Sequence, residues 1–175
     1  YEKAKIHLLN TVGANSFELT DTDFELADNL DFQPTAFEPA TLQEAALRQL
    51  VAGQGLADAV HFSGRLERDA MAALYRSADL MLNPSLADNM PNSVLEAWAS
   101  GVPVVSTNVG GIPYLAQQGV TASLVPPSDP VAMAQACVAL LSDETLWRER
   151  AQAGLREAQR YTWSCVRPVL AGVYR

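Results

Sequence analysis

The sequence predicts an α/β fold, a parallel sheet covered by helices on both faces in three layers. Three observations carry that expectation. Short apolar strands alternate with helical stripes at the spacing of βαβ crossovers. The segment 102–106 is a continuous β-branched run, as in a strand buried on both faces. Helix starts are marked by local chemistry, most clearly at Asp129-Pro130, an N-cap followed by proline in the first turn.

Taken in order, residues 4–12 (AKIHLLNTV) read as a buried strand. Residues 13–40 carry seven acids and no Lys or Arg, with Pro34 and Pro39 near the end. This stretch reads as an extended excursion, with one short helical turn around Phe24–Leu30. Thr41-Leu42-Gln43-Glu44 is a capping-box signature, and Leu42, Ala46 and Leu50 continue its helical stripe. Val60 and Phe62 alternate as a strand should. A helix over 69–77 turns Met71, Leu74 and Tyr75 inward, and a strand over 79–83 follows. Next come a polar loop, a helix over 93–100, and the strand 102–106. Gly110-Gly111-Ile112-Pro113 predicts a turn and a short helix. A strand over 121–125 ends at Pro126-Pro127. Helices follow from Asp129 to about Leu141, from Asp143, and from Thr162 or Ser164. Trp98, Met71 and Tyr75 are expected in the core, and Trp147 and Trp163 against the terminal helices.

At 175 residues the chain fits one domain with a substantial core, 49% of it being hydrophobic. A net charge of −8, with Lys3 and Lys5 the only lysines, argues against nucleic acid and against an anionic membrane surface as partners. No apolar run reaches the ~20 residues that a membrane span needs. Cys137 and Cys165 both fall in helical patterns and read as reduced, buried thiols of a cytosolic protein. His7 and His61 show no ligand spacing with them, so no metal site is expected.

The candidate site lies in Asp88-Asn89-Met90-Pro91-Asn92-Ser93-Val94-Leu95-Glu96, followed by Ala97-Trp98-Ala99-Ser100-Gly101-Val102-Pro103-Val104-Val105. A strand runs into a loop that turns at Pro91 and opens a helix. Two acids, Asp88 and Glu96, stand eight positions apart. In a parallel α/β sheet, ligands bind beyond the C-terminal strand ends, where Asn83-Pro84-Ser85 and Thr107–Gly111 also fall. Free amides at a helix start suit a diphosphate, and the macrodipole adds to them. Carboxylates repel phosphate but accept from sugar hydroxyls. Plainer readings stand beside this one. Ser93-Val94-Leu95-Glu96 fits a capping box, Asp88 fits a solvated loop acid, and Asn89 and Asn92 fit turn formers. Gly110 and Gly111 suit either an ordinary turn or close backbone approach to a ligand. Asp21-Thr22-Asp23 resembles a metal-binding triplet, but such triplets are common in acidic loops.

Asp88 to Val105, followed by Gly110-Gly111-Ile112-Pro113, resembles the donor-binding half of family 4 glycosyltransferases. Val60-His61-Phe62-Ser63-Gly64 and Ala78-Asp79-Leu80 extend the resemblance over roughly 41–165. It implies a Rossmann-like domain, one half of a GT-B fold. On that basis residues 41–175 are the C-terminal donor domain, and 1–40 a strand plus acidic segment outside it. The resemblance further implies a retaining, metal-independent hexosyltransferase whose donor is a nucleotide-diphosphate sugar, with no separate cofactor. Glu96 would hold ribose hydroxyls. Asp88 would face the donor sugar, one methylene shorter than the glutamate usual there. The loop of Asn89, Met90, Pro91, Asn92 and Ser93 would turn its free amides (Pro91 having none) to sugar and diphosphate, and Gly110 and Gly111 would close the other side. Tyr114 stands where the family often has an acid. Arg65, with Leu66, imitates a family motif at a different strand and is read as a loop cation near the nucleobase edge.

The family's domain begins with a strand, a Gly-Arg-Leu loop and a Lys-Gly helix, and no such sequence precedes residue 41. If 4–12 is the second strand of a 3-2-1-4-5-6 order, the central strand is absent. The expectation is a truncated chain, inactive in isolation. The acceptor, whether glycan, lipid-linked or small-molecule, would be bound by a missing N-terminal domain. The expected location is cytoplasmic, with any peripheral membrane contact made through that domain. Two rivals within enzymes are a GT-B epimerase and a phosphorylase. From other classes, a non-catalytic nucleotide-binding or scaffolding module, and an assembly domain using the acidic segment to meet a basic partner, stay open.

Overall fold

The computed structural model describes residues 6–9 and 40–174. The acidic segment, its expected helical turn and Asp21-Thr22-Asp23 lie outside these residues. The chain forms two compact units, 1–66 and 67–175.

In the first unit, β1 (Ile6–Leu9) pairs in parallel with β2 (Val60–Gly64), with Ile6 opposite Val60 and Leu8 opposite Phe62. Helix α1 (Ala40–Gly53) connects toward β2. It begins one residue before Thr41, so Thr41 is helical and does not serve as the N-cap. On α1, Arg48 pairs with Glu44 at 2.6 Å, and its guanidinium lies 4.2 Å from the centre of the Phe62 ring. The pair is partly exposed, so the cation–π contact adds more packing than net charge energy.

The second unit begins with α2 (Arg68–Ser77) and β3 (Met81–Asn83). Next come α3 (Asn92–Ala99), β4 (Val104–Thr107), α4 (Ile112–Leu115) and β5 (Ser123–Val125). Three helices complete it: α5 (Pro130–Ser142), α6 (Glu144–Gln159) and α7 (Trp163–Val173). The three strands form a parallel sheet in the order β3-β4-β5.

Alternation along the central strand builds the two outer layers. Val104 joins a core with Tyr75, Met81, Val94, Ala97, Trp98, Ile112 and Leu115. Its neighbour Val105 faces the opposite way, into a smaller core with Val125 and Leu140 of α5. All four residues of β4 are buried, as its β-branched run predicts.

The described strands form two parallel ladders, β1-β2 and β3-β4-β5. No described strand joins the ladders.

Helix ends follow local chemistry in most places. Asp129 accepts from the Ala132 amide at 2.9 Å, with Pro130 next to it. Asp143 accepts from Thr145 and Leu146 at 2.9 and 3.0 Å. Helix α3 closes in a Schellman motif. The Gly101 amide (φ +74°) donates to Trp98 O and the Val102 amide to Ala97 O, both at 2.9 Å. This turn feeds the chain straight into β4.

Two expectations about packing fail. Cys137 on α5 is half-buried against the Val105, Val125 and Leu140 core, whereas Cys165 is exposed, because α7 buries none of its residues. For the same reason Trp163 is exposed and packs no core. Trp147, half-buried, donates from its indole to Asp79 O at 2.6 Å, before β3.

Candidate functional site

The C-terminal end of β3 leads into the loop 84–91, and that of β4 into the turn 108–111. Between them opens a cleft of about 660 Å³, lined by Leu86, Ala87, Asp88, Asn89, Gly110, Gly111 and Tyr114. Its position matches the expected strand ends of a parallel sheet. Asp88, Asn89, Gly110 and Gly111 therefore come together as the sequence suggested.

The two walls are joined by main chain. The Gly111 amide donates to Asp88 O at 2.9 Å. A Cβ on Gly110 would overlap Asp88 O, and one on Gly111 would overlap Asn89 O. Gly110 also holds φ +53°, a left-handed conformation. The glycines are thus required by the protein's own packing, where the 88–89 backbone passes.

Below the cleft the strand ends marked by Asn83, Ser85 and Thr107 form, with Ser106, a polar support whose burial their sequence does not announce. Asn83, Ser106 and Thr107 are almost fully buried. Asn83 Nδ2 donates to Ser106 Oγ at 3.2 Å, and Thr107 Oγ1 donates to Ser85 O at 2.6 Å. Ser85 Oγ lies 2.8 Å from Asn83 Oδ1 and 3.3 Å from Asp88 Oδ2. A hydroxyl has one proton, which goes mainly to the nearer acceptor. The half-buried Asp88 carboxylate therefore keeps most of its accepting capacity open toward the cleft. The available signal was three polar residues ending two otherwise apolar strands.

Helix α3 starts differently from the capping-box reading. Its N-cap is Pro91, with φ −67° and ψ 113°, and no side chain caps it. Asn92 is the first helical residue and Ser93 the second. Glu96 is the fifth, two residues beyond the third position from which a capping-box acid ties back to the N-cap. Val94 N donates to Pro91 O at 3.1 Å. Ordinary helix geometry leaves the first amides of α3 without intrahelical partners. Asn92 is exposed, Ser93 half-buried, Met90 exposed and Pro91 buried.

Glu96 is exposed and does not line the Asp88 cleft. Its neighbour is Tyr75 on α2, whose hydroxyl donates to Ser93 O at 3.3 Å. Burial pushes the Tyr75 phenol well above its ordinary pKa, and the Glu96 carboxylate reinforces this by charge and hydrogen bonding. Tyr75 therefore stays neutral and braces the first turn of α3. Arg65, exposed, and Leu66, half-buried, belong to the first unit. Among the described residues, no three His, Cys, Asp or Glu side chains cluster as metal ligands would. Nor is any described helix long and apolar enough to cross a membrane.

Residues 37–143 match the family model described as glycosyl transferases group 1. The chain is 32% identical over 126 residues to a D-inositol 3-phosphate glycosyltransferase of Corynebacterium diphtheriae, covering 72% of the chain and 30% of the relative. It is 35% identical over 121 residues to a phosphatidyl-myo-inositol mannosyltransferase of Mycobacterium leprae, covering 69% of the chain and 32% of the relative. Among solved structures, it resembles sucrose-phosphate synthase from Thermosynechococcus elongatus with a TM-score of 0.72 and 27% identity. That match covers 79% of this chain and 35% of the synthase. The chain thus spans about a third of the length of the proteins it matches.

Proposed function

On the premise that this chain belongs to the glycosyl transferases group 1 family, with an α/β architecture of GT-B type, we propose that it is the nucleotide-sugar-binding half of a family 4 enzyme. In this reading a hexosyl group passes from a nucleoside diphosphate to an acceptor with retention of configuration and without a metal. The acceptor would bind to a further domain of a longer, cytoplasmic protein, and the 175-residue chain alone would not turn over.

The observation that carries the reading is the start of α3. It has no side-chain cap, it follows directly on a cleft holding Asp88, and it carries an exposed glutamate one turn in. Each feature suits one part of the donor. Free amides and the helix dipole suit the diphosphate, which leaves with the electrons of the broken anomeric C–O bond. Asp88 accepts from hydroxyls of the sugar, and Glu96 from those of the ribose. Asn89, Met90, Asn92 and Ser93 contribute chiefly main chain, and Pro91 sets the helix entry. Because the residues lining the cleft include no cation, positive charge would reach the diphosphate from elsewhere. No residue is assigned as general base.

Calorimetry with UDP and GDP tests this. One of them should bind, and Glu96→Ala should weaken it by roughly ten- to a hundredfold, the loss of hydrogen bonds to a charged acceptor. Unchanged affinity would reject the ribose role. Because Glu96 also bonds Tyr75, which braces the start of α3, thermal melting of Glu96→Ala separates a lost ribose contact from a frayed helix start: the melting temperature should hold while affinity falls.

A further inference from the structure

Tyr114 is 92% exposed, more than any other large hydrophobic or aromatic side chain among the described residues. It does not project from a loose segment. Helix α4 is anchored by Ile112 and Leu115, buried to 0% and 6% exposure. Its other two residues, Pro113 and Tyr114, face outward. Tyr114 lines the Asp88 cleft, and so does Leu86, itself 70% exposed, from the other loop. Scattered apolar residues on a surface need no explanation. Two on a cleft wall that also carries a half-buried carboxylate form the usual composition of a ligand site, apolar surface plus a few polar groups.

The geometry points to Tyr114 as a positioning residue that packs its ring against the C–H face of the transferred sugar, an inference that rests on the donor reading above. A pyranose has hydroxyls around its edge and C–H bonds on its faces. Asp88 can accept only from the edge. The face needs an apolar cover, and the π-cloud of a phenol attracts weakly positive C–H groups. Leu86 adds plain apolar area beside it. A carboxylate in a water-filled cleft binds hydroxyls poorly against solvent competition. A ring that excludes water from one side makes the same contact stronger.

The test compares sugar nucleotides with the matching bare diphosphates on the 175-residue chain. Calorimetry uses UDP, GDP, UDP-glucose, UDP-N-acetylglucosamine and GDP-mannose. Tyr114→Ala should weaken the sugar nucleotide that binds by about three- to tenfold while leaving its diphosphate within about twofold, the scale of one aromatic packing contact. Tyr114→Phe should restore wild-type affinity, because the ring and not the hydroxyl makes the contact. Thermal melting should not change, since the side chain is outside the core. Equal losses for diphosphate and sugar nucleotide would place the ring on the base and overturn the inference. So would no loss for either. If wild type binds none of the five ligands, the donor reading itself fails and takes this inference with it.

Discussion

The indole of Trp98 packs directly on the bare Cα of Gly154. A Cβ there would overlap the ring, falling 2.8 Å from Cγ and 2.9 Å from Nε1. Trp98 is fully buried, and its Nε1 donates to Thr121 O at 3.0 Å. One ring thus joins α3, α6 and the turn before β5.

Two effects compete in Gly154→Ala. Alanine favours a helix interior over glycine by about 0.8–1 kcal/mol. Overpacking a fixed ring costs about 1–3 kcal/mol. The indole is held by its hydrogen bond and cannot retreat, so the steric effect wins. Urea unfolding should show net destabilisation, and a more stable variant would refute the close packing. A fall in nucleotide affinity should accompany it, because Trp98 sits on the helix whose first turn flanks the cleft.

Gly111→Ala separates sterics from backbone strain. Gly111 has φ −85° and ψ −9°, which alanine adopts freely. Only its new Cβ, meeting Asn89 O, is at fault. The expected loss is again about 1–3 kcal/mol in a denaturant titration. Gly110→Ala should cost at least as much, since it adds a left-handed φ to a similar clash. A neutral Gly111→Ala would mean that the two walls part easily.

Tyr75 gives an alkaline signature. Its pKa is raised in the folded chain, by burial first and by Glu96 second, above an ordinary value of about 10. A raised folded pKa gives stabilisation that is complete below the unfolded value. It is lost as pH climbs from there through the folded value. Stability should therefore be flat in this respect to about pH 9 and fall above about pH 10. Tyr75→Phe should cost about 0.5–1.5 kcal/mol at neutral pH, through the bond to Ser93 O, and should flatten the alkaline fall. Equally steep curves for both proteins would remove Tyr75 as the cause.

Much of the second unit was legible in the sequence because its signals are local. The β-branched run gave β4, Gly101 the end of α3, and Asp129-Pro130 the start of α5. What escaped depends on contacts distant in sequence. Ser93 and Glu96 have capping-box spacing, but the box requires the chain to be extended at Ser93. Pro91 takes that conformation instead, and the helix begins before the serine. Gly110 and Gly111 advertise a close approach without saying to what, and only the fold brings the 88–89 carbonyls against them. The burial of Asn83, Ser106 and Thr107 was likewise hidden, since polar residues at strand ends are ordinarily solvated. Cys165 looks like a buried residue by type, and Trp163 like one that packs between terminal helices, yet α7 buries none of its residues.

The main-chain bond from Gly111 to Asp88 has a further consequence. It staples the lips of the opening at their base, so a bulkier guest cannot be admitted by prying them apart. Choice among guests then falls to the outward groups at the margin. Those can be exchanged by mutation with little harm to the foundation, so new preferences could evolve there while the scaffold stays as it is.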